Sequence, residues 1–320
     1  MPEIETADTA DLWMQHMRQG AFEEAWKCSD AVLRSRAGKP CWHLPRHFQY
    51  VWDGTPLQGK RVLVRCYHGL GDTIQFIRYM PLLKAVAAKV IVWGQPALIP
   101  LLQTVPGIDQ LLPLHDGTPE VDFEVDEEIM ELPHIFRTTL ETIPLKIPYL
   151  QVEPQLHNYG HGLLPVGLFW KAGDWDSRRS IPFPLLAPLA AVPGVQLYML
   201  QGDAPAAGWR EGFGICPDAS SVFNCARIIR GLNLVITVDS MPAHLAGALG
   251  VPVWNLLHAN ADWRWMENRS DSPWYPTMRL FRQEHPGDWK SVIQQVATAL
   301  EQWARWQQSE QANSKVGQYA

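Results

Sequence analysis

The sequence predicts an α/β protein with two doubly wound parallel sheets and a short N-terminal α-helical hairpin. Strand-like apolar runs alternate with helix-length segments through residues 61–114, and the same alternation restarts at residue 166. A stretch with three prolines, residues 143–155, separates the two halves and reads as an extended linker. A length of 320 residues suits two domains better than one, and two such halves on one linker would face each other across a cleft.

Taken in order, residues 9–36 have helical apolar spacing (Leu12, Trp13, Met17, then Phe22, Ala25, Trp26, Leu33) around Gly20. Two helices there form a domain over residues 1–40 that resembles a single tetratricopeptide-type unit. One unit cannot bury both faces, so it must pack on the next domain or on a protein partner. Residues 41–59, rich in aromatics and proline, wrap onward. The first sheet domain, residues 41–150, has strands at 61–66, 90–93 and 110–114, with helices at 73–88 and 96–103. The second, residues 151–290, has strands at 166–170 and 195–200, helices near 184–191 and 222–230, and then the run Leu234-Val-Ile-Thr-Val-Asp239-Ser240-Met241-Pro242-Ala243-His244. That run reads as a buried strand, a turn in which Ser240 caps a small-residue helix, a stop at Gly250 and another strand. Residues 262–286 read as aromatic loops. Residues 291–320 are a C-terminal helix and tail, the helix running over 288–306 and the polar remainder frayed.

Composition excludes several functions. A net charge of −6 disfavours nucleic acid and anionic membrane surfaces, both of which select basic faces. Five cysteines without a C-x-x-C pair fit reduced thiols, and no zinc spacing is present. With no leader pattern at the N-terminus and no bilayer-length apolar run, a soluble cytoplasmic protein without a transmembrane segment is expected. Several of the 15 tryptophans fall in polar loops, as in Asp174-Trp175-Asp176 and Asp262-Trp263-Arg264-Trp265.

Three places carry candidate chemistry, each with a plainer alternative. Gly69-Leu-Gly71-Asp72 follows a strand and puts a carboxylate at a helix start, where it could simply cap the helix. The loop Lys171-Ala-Gly-Asp-Trp-Asp-Ser-Arg178-Arg179-Ser180 sets three cations at a strand's carboxyl end, as a diphosphate requires, though surface cations are common. Asp239, Ser240 and His244 lie at a helix start suited to an anion, although a histidine among Leu and Ala is more often a core residue.

Together these residues resemble the heptosyltransferase-like family 9 glycosyltransferases, in particular a bacterial subgroup with tetratricopeptide units ahead of the transferase. The likeness rests on Gly-Leu-Gly-Asp72-Thr-Ile-Gln-Phe-Ile-Arg-Tyr-Met-Pro81 and Val-Asp239-Ser240-Met-Pro-Ala-His244, with Arg178-Arg-Ser-Ile-Pro182, Asp262-Trp-Arg-Trp265 and Ser-Pro-Trp-Tyr-Pro276. The resemblance implies a GT-B architecture of two Rossmann-like domains facing a cleft. It implies inverting, metal-independent transfer from a nucleotide-diphospho-sugar to a glycan, lipopolysaccharide or protein acceptor, with no other cofactor. Asp72 matches the family's general base; Gly71, Lys171, Arg178, Arg179, Asp239, Ser240 and His244 match the donor-binding side. Ser240-Met241-Pro242 stands where members commonly have Thr and small residues. The alternatives are a catalytically degenerate sugar-nucleotide module recruited through the hairpin, or nucleotide-sugar epimerisation; glycoside hydrolysis fits less well, with one placed carboxylate per side.

Overall fold

A computed structural model of the protein describes residues 3–155 and 162–316; the remaining residues, including the last of the predicted tail, lie outside the described residues. The chain divides into two compact units. Unit 1 is Met1–Val152 with Asp262–Pro276, and unit 2 is Glu153–Ala261 with Thr277–Ala320.

Unit 1 opens with α1 (Glu3–Gln19) and α2 (Phe22–Arg36). Gly20 joins them at φ +76°, a left-handed turn that suits glycine. The Trp26 indole N–H donates to the Thr138 carbonyl at 2.7 Å, and the Phe22 ring stacks on Trp274 at 5.9 Å. Asp30 accepts from both Arg137 Nη atoms, at 3.0 and 2.7 Å, and lies 2.8 Å from His134 Nε2. The hairpin therefore exists, and this face of α2 is closed by its own chain. Its tetratricopeptide character rests on sequence spacing alone.

The unit 1 sheet holds β1 (Arg61–Arg65), β2 (Lys89–Gly94), β3 (Gln110–Pro113) and β4 (Val125–Glu128), all parallel in the order β3-β2-β1-β4. Val62, Leu63 and Val64 are fully buried, which is why β1 reads as an unbroken apolar run. The helix expected over 73–88 is instead α3 (Leu70–Phe76), a 3-10 turn at Ile77–Tyr79, and α4 (Met80–Val86). Pro81 falls in the first turn of α4, where its missing N–H is harmless, and this restarts the helix. Two single-turn helices, α5 (Ile99–Leu102) and α6 (Leu132–Ile135), complete the unit. Strand β4 was not expected, because Val-Asp-Glu-Glu carries no apolar alternation.

Unit 2 runs β5 (Leu164–Phe169), α7 (Ala187–Ala190), β6 (Val195–Met199), α8 (Val222–Arg230), β7 (Leu234–Val238), α9 (Met241–Ala248), β8 (Val253–Leu257), β9 (Met278–Arg282) and α10 (Trp289–Val316). Its strands are parallel in the order β6-β5-β7-β8-β9. Val166, Leu168, Ile236, Val238 and Leu256 form the core with Val292, Ile293, Val296 and Leu300 of α10. Two expectations are corrected. β9 lies within the supposed aromatic loops, and α10 continues to Val316 through residues expected to fray, with Val292, Ile293, Val296 and Leu300 anchoring its earlier turns in the core.

Asp262–Pro276 lies between β8 and β9 in sequence yet packs in unit 1. There Trp263 meets Trp13 edge-on at 5.4 Å, Trp274 meets Phe76 at 5.8 Å, and Arg78 Nη1 donates to the Trp274 carbonyl at 2.6 Å. Among the described residues, no helix is long and apolar enough to cross a membrane.

Candidate functional site

Doubly wound sheets bind ligands beyond the carboxyl ends of their strands, where the winding direction reverses. In unit 1 the reversal lies between β1 and β4, and in unit 2 between β5 and β7. The loops there are residues 66–72 in unit 1 and residues 170–180 and 239–240 in unit 2. The motifs singled out in the sequence fall at these two places.

In unit 1, Asp72 sits in the first turn of α3 with Gly71 before it. Its Oδ2 accepts the Gly69 N–H at 2.9 Å, so it does cap the helix. Its Oδ1 accepts from Arg264 Nη2 at 2.6 Å, an ion pair absent from the sequence reading. Arg264 also donates through Nε to Gln75 Oε1 at 2.7 Å and through Nη1 to Asp262 Oδ1 at 2.9 Å. With its side chain 23% exposed and each oxygen able to take a second hydrogen bond, the Asp72 carboxylate retains room for an incoming hydroxyl.

Beside this pair, β4 delivers acids that its sequence hid. Glu128 accepts the Met130 N–H at 2.7 Å and lies 3.6 Å from His68 Nε2. Burial pushes the Glu128 carboxyl well above the usual range. Burial also lowers the His68 imidazole, against the opposing pull of Asp72, so His68 is neutral at neutral pH.

Glu127 is fully buried, and among the described residues neither carboxyl oxygen has a hydrogen-bond partner. Burial, reinforced by Glu131, Glu128 and Asp126, raises it well above 4.5. The folded state therefore keeps a proton that the unfolded chain releases above about pH 4.5, and stability falls as pH rises from there towards the folded value. Glu127→Gln removes this contribution. Its melting temperature should decline less than that of the parent between pH 5 and 8; parallel pH profiles would contradict a protonated Glu127.

In unit 2, a cavity of about 430 Å³ opens at the reversal point, lined by Lys171, Gln201, Asp203, Ser220, Ser240 and Met241 among others. Lys171 Nζ donates to Asp203 Oδ2 at 2.9 Å, and Gln201 Nε2 donates to Asp203 Oδ1 at 3.1 Å. Arg179 Nη1 donates to the Asp239 carbonyl at 2.9 Å, joining the basic loop to the end of β7, while its guanidinium stacks on Trp175 at 4.6 Å. Arg179 is 9% exposed, its buried Nε has no partner among the described residues, and it does not line the cavity.

Not every candidate converges. Arg178 points into solvent and is clamped by Asp176, at 2.8 and 2.9 Å, which with its backbone N–H bond draws the Asp176 carboxyl down to about 2. Asp239 and His244 are buried and do not line the cavity. Gly71 belongs to unit 1, and the other donor-side candidates belong to unit 2. Ser240 does not cap α9; its Oγ donates to the Val238 carbonyl at 3.2 Å. Pro242 has no N–H, and the Ala243 N–H turns back to the Ser240 carbonyl at 3.0 Å, so this helix start has fewer donors for an anion than expected. Sequence reasoning missed Asp203, Glu128 and Arg264. Asp203 lies in the strand-end turn Gln-Gly-Asp, and Arg264 within the quoted stretch Asp262-Trp-Arg-Trp265, but neither was given a role.

Two parallel α/β units, each with candidate residues at its winding reversal, define a protein of GT-B-like architecture. The structure is similar to that of a family 9 glycosyl transferase from Veillonella parvula, with TM-score 0.57 and 14% identity over 78% of this chain and 98% of that one. It is also similar to the E. coli ADP-heptose lps heptosyltransferase II, with TM-score 0.53 and 14% identity over 77% of this chain and 99% of that one. At that identity the likeness establishes the fold. In sequence, the chain is 28% identical over 298 residues to Protein FlbA of Caulobacter vibrioides, covering 79% of this chain and 48% of FlbA, so it spans about half the length of this curated relative. No protein-family profile matches the chain.

Proposed function

We propose that this chain is a cytoplasmic family 9-like glycosyltransferase that moves a sugar, with inversion and without a metal, from a nucleotide-diphospho-sugar to a hydroxyl of a glycan, lipopolysaccharide or protein. The observation that carries the reading is the unit 2 cavity, which Lys171 and Ser240 both line beyond the strand ends. The acceptor oxygen attacks the anomeric carbon as its proton passes to Asp72, and the carbon–oxygen bond to the diphosphate breaks with its electron pair leaving on the nucleoside diphosphate. Lys171, on the cavity wall, is the cation available to balance that charge as it develops. The heptosyltransferase II among the similar structures is named for ADP-heptose, which makes ADP-linked sugars the first donors to test.

The test is a thermal-shift and calorimetric screen of ADP, GDP and UDP and their sugars, since a ligand of the folded state raises its melting temperature. One nucleoside diphosphate should bind, and Lys171→Ala should weaken it roughly 10- to 100-fold, the value of one charge-assisted hydrogen bond. Absence of binding by every diphosphate would overturn the donor-site reading.

A further inference from the structure

We propose that Arg264 is the positioning residue for the base, holding the Asp72 side chain in the orientation that receives the acceptor proton. The inference rests on the transferase reading with Asp72 as base. Arg264 is 7% exposed, and its donors are distributed over three side chains: Nη2 to Asp72 Oδ1 at 2.6 Å, Nε to Gln75 Oε1 at 2.7 Å and Nη1 to Asp262 Oδ1 at 2.9 Å. The guanidinium stacks on Trp263 at 4.7 Å and lies 5.5 Å from the Phe76 ring. Gln75 belongs to the same helix as Asp72, so Arg264 grips two points on α3 and fixes the carboxylate against it. A planar fork between two aromatic rings has few alternative poses, and lysine offers neither the fork nor the stacking.

Asp72 is thus held from both sides. Gly69 N–H takes Oδ2, Arg264 takes Oδ1, and the remaining lone pairs have fixed directions. Without Arg264, Oδ1 loses its charge-assisted donor and the side chain is restrained by Gly69 alone. Misplacing a reacting group by about 1 Å costs on the order of 10²-fold in rate. In a purely positioning role, the effect of Arg264 on turnover should pass through Asp72.

The experiment is a double-mutant cycle on the full chain, following nucleoside diphosphate released from a panel of ADP-, GDP- and UDP-linked sugars in the presence of a glycan-rich cell extract. Arg264→Gln should lower kcat about 10- to 100-fold with donor KM within about twofold, and Arg264→Lys should recover only part of the loss. In the Asp72→Asn background, Arg264→Gln should cost no more than about twofold, because the group it positions is already gone. Equal losses in both backgrounds would overturn the positioning role while leaving the transferase reading intact. Full turnover in Asp72→Asn alone would instead remove the base assignment and the positioning role with it. Failure of the parent chain to consume any nucleotide sugar would remove the transferase reading on which both depend. Arg264→Lys keeps the charge and guards the test against a Gln variant that fails to fold.

Discussion

Asp72→Asn should lower sugar-transfer turnover by on the order of 10²- to 10⁴-fold, the usual contribution of a general base, while nucleoside diphosphate affinity stays within about twofold. The separation follows from where the groups lie: Asp72 is at the reversal point of unit 1, whereas the cavity lined by Lys171 and Ser240 belongs to unit 2. Asparagine is not silent structurally. Its one oxygen can serve either Gly69 N–H or Arg264 Nη2, and the amide nitrogen must face the other donor. A stability loss of about 1–3 kcal/mol is therefore expected, and kinetics must be read below the melting transition of the variant. Turnover close to that of the parent would transfer the role to another group, and neutral His68 is the next candidate on the same loop.

Trp274→Ala should produce the largest loss of stability. Trp274 is fully buried and touches Phe22 of α2, Phe76 of α3 and Trp263, at ring distances of 5.9, 5.8 and 6.1 Å. Truncation removes the shared packing partner of the hairpin, the first sheet helix and the 262–276 segment. About 3–5 kcal/mol should be lost, lowering the unit 1 melting transition by on the order of 10 °C. The unit 2 transition should not move, since Trp274 belongs to unit 1. Scanning calorimetry resolves the two. An equal fall in both transitions would mean that the units unfold as one, and no fall would mean that this core repacks at little cost.

What was legible in the sequence was local. A buried run such as Leu-Val-Ile-Thr-Val, followed by a polar turn and small residues, announces strand, strand-end loop and helix in one window, and β7 and α9 lie there. The strand Val-Asp-Glu-Glu announces nothing, because buried carboxyls break the apolar pattern that marks a strand. Arg178 and Arg179 look equivalent in sequence. The fold separates them, since Asp176 two residues earlier claims Arg178 while Arg179 turns inward to the Asp239 carbonyl. The Asp72–Arg264 pair spans 192 residues and carries no periodic signal. Trp263, Trp265 and Trp274 were visible as unusual, yet their burial in unit 1 depends on a chain path that no local pattern encodes.

That path bears on the order in which the protein is made. A ribosome that has released residue 152 has not yet released Trp263, Arg264 or Trp274, so unit 1 waits for about 120 further residues, roughly 6–25 s at ordinary elongation rates. By then β5 to β8 have already emerged, so the second unit has most of its strands before the first has its full core. No single cut divides the chain into two complete units. Ending it after Val152 leaves α2 and α3 without Trp274 and Asp72 without its arginine, and a fragment beginning at Glu153 carries both away.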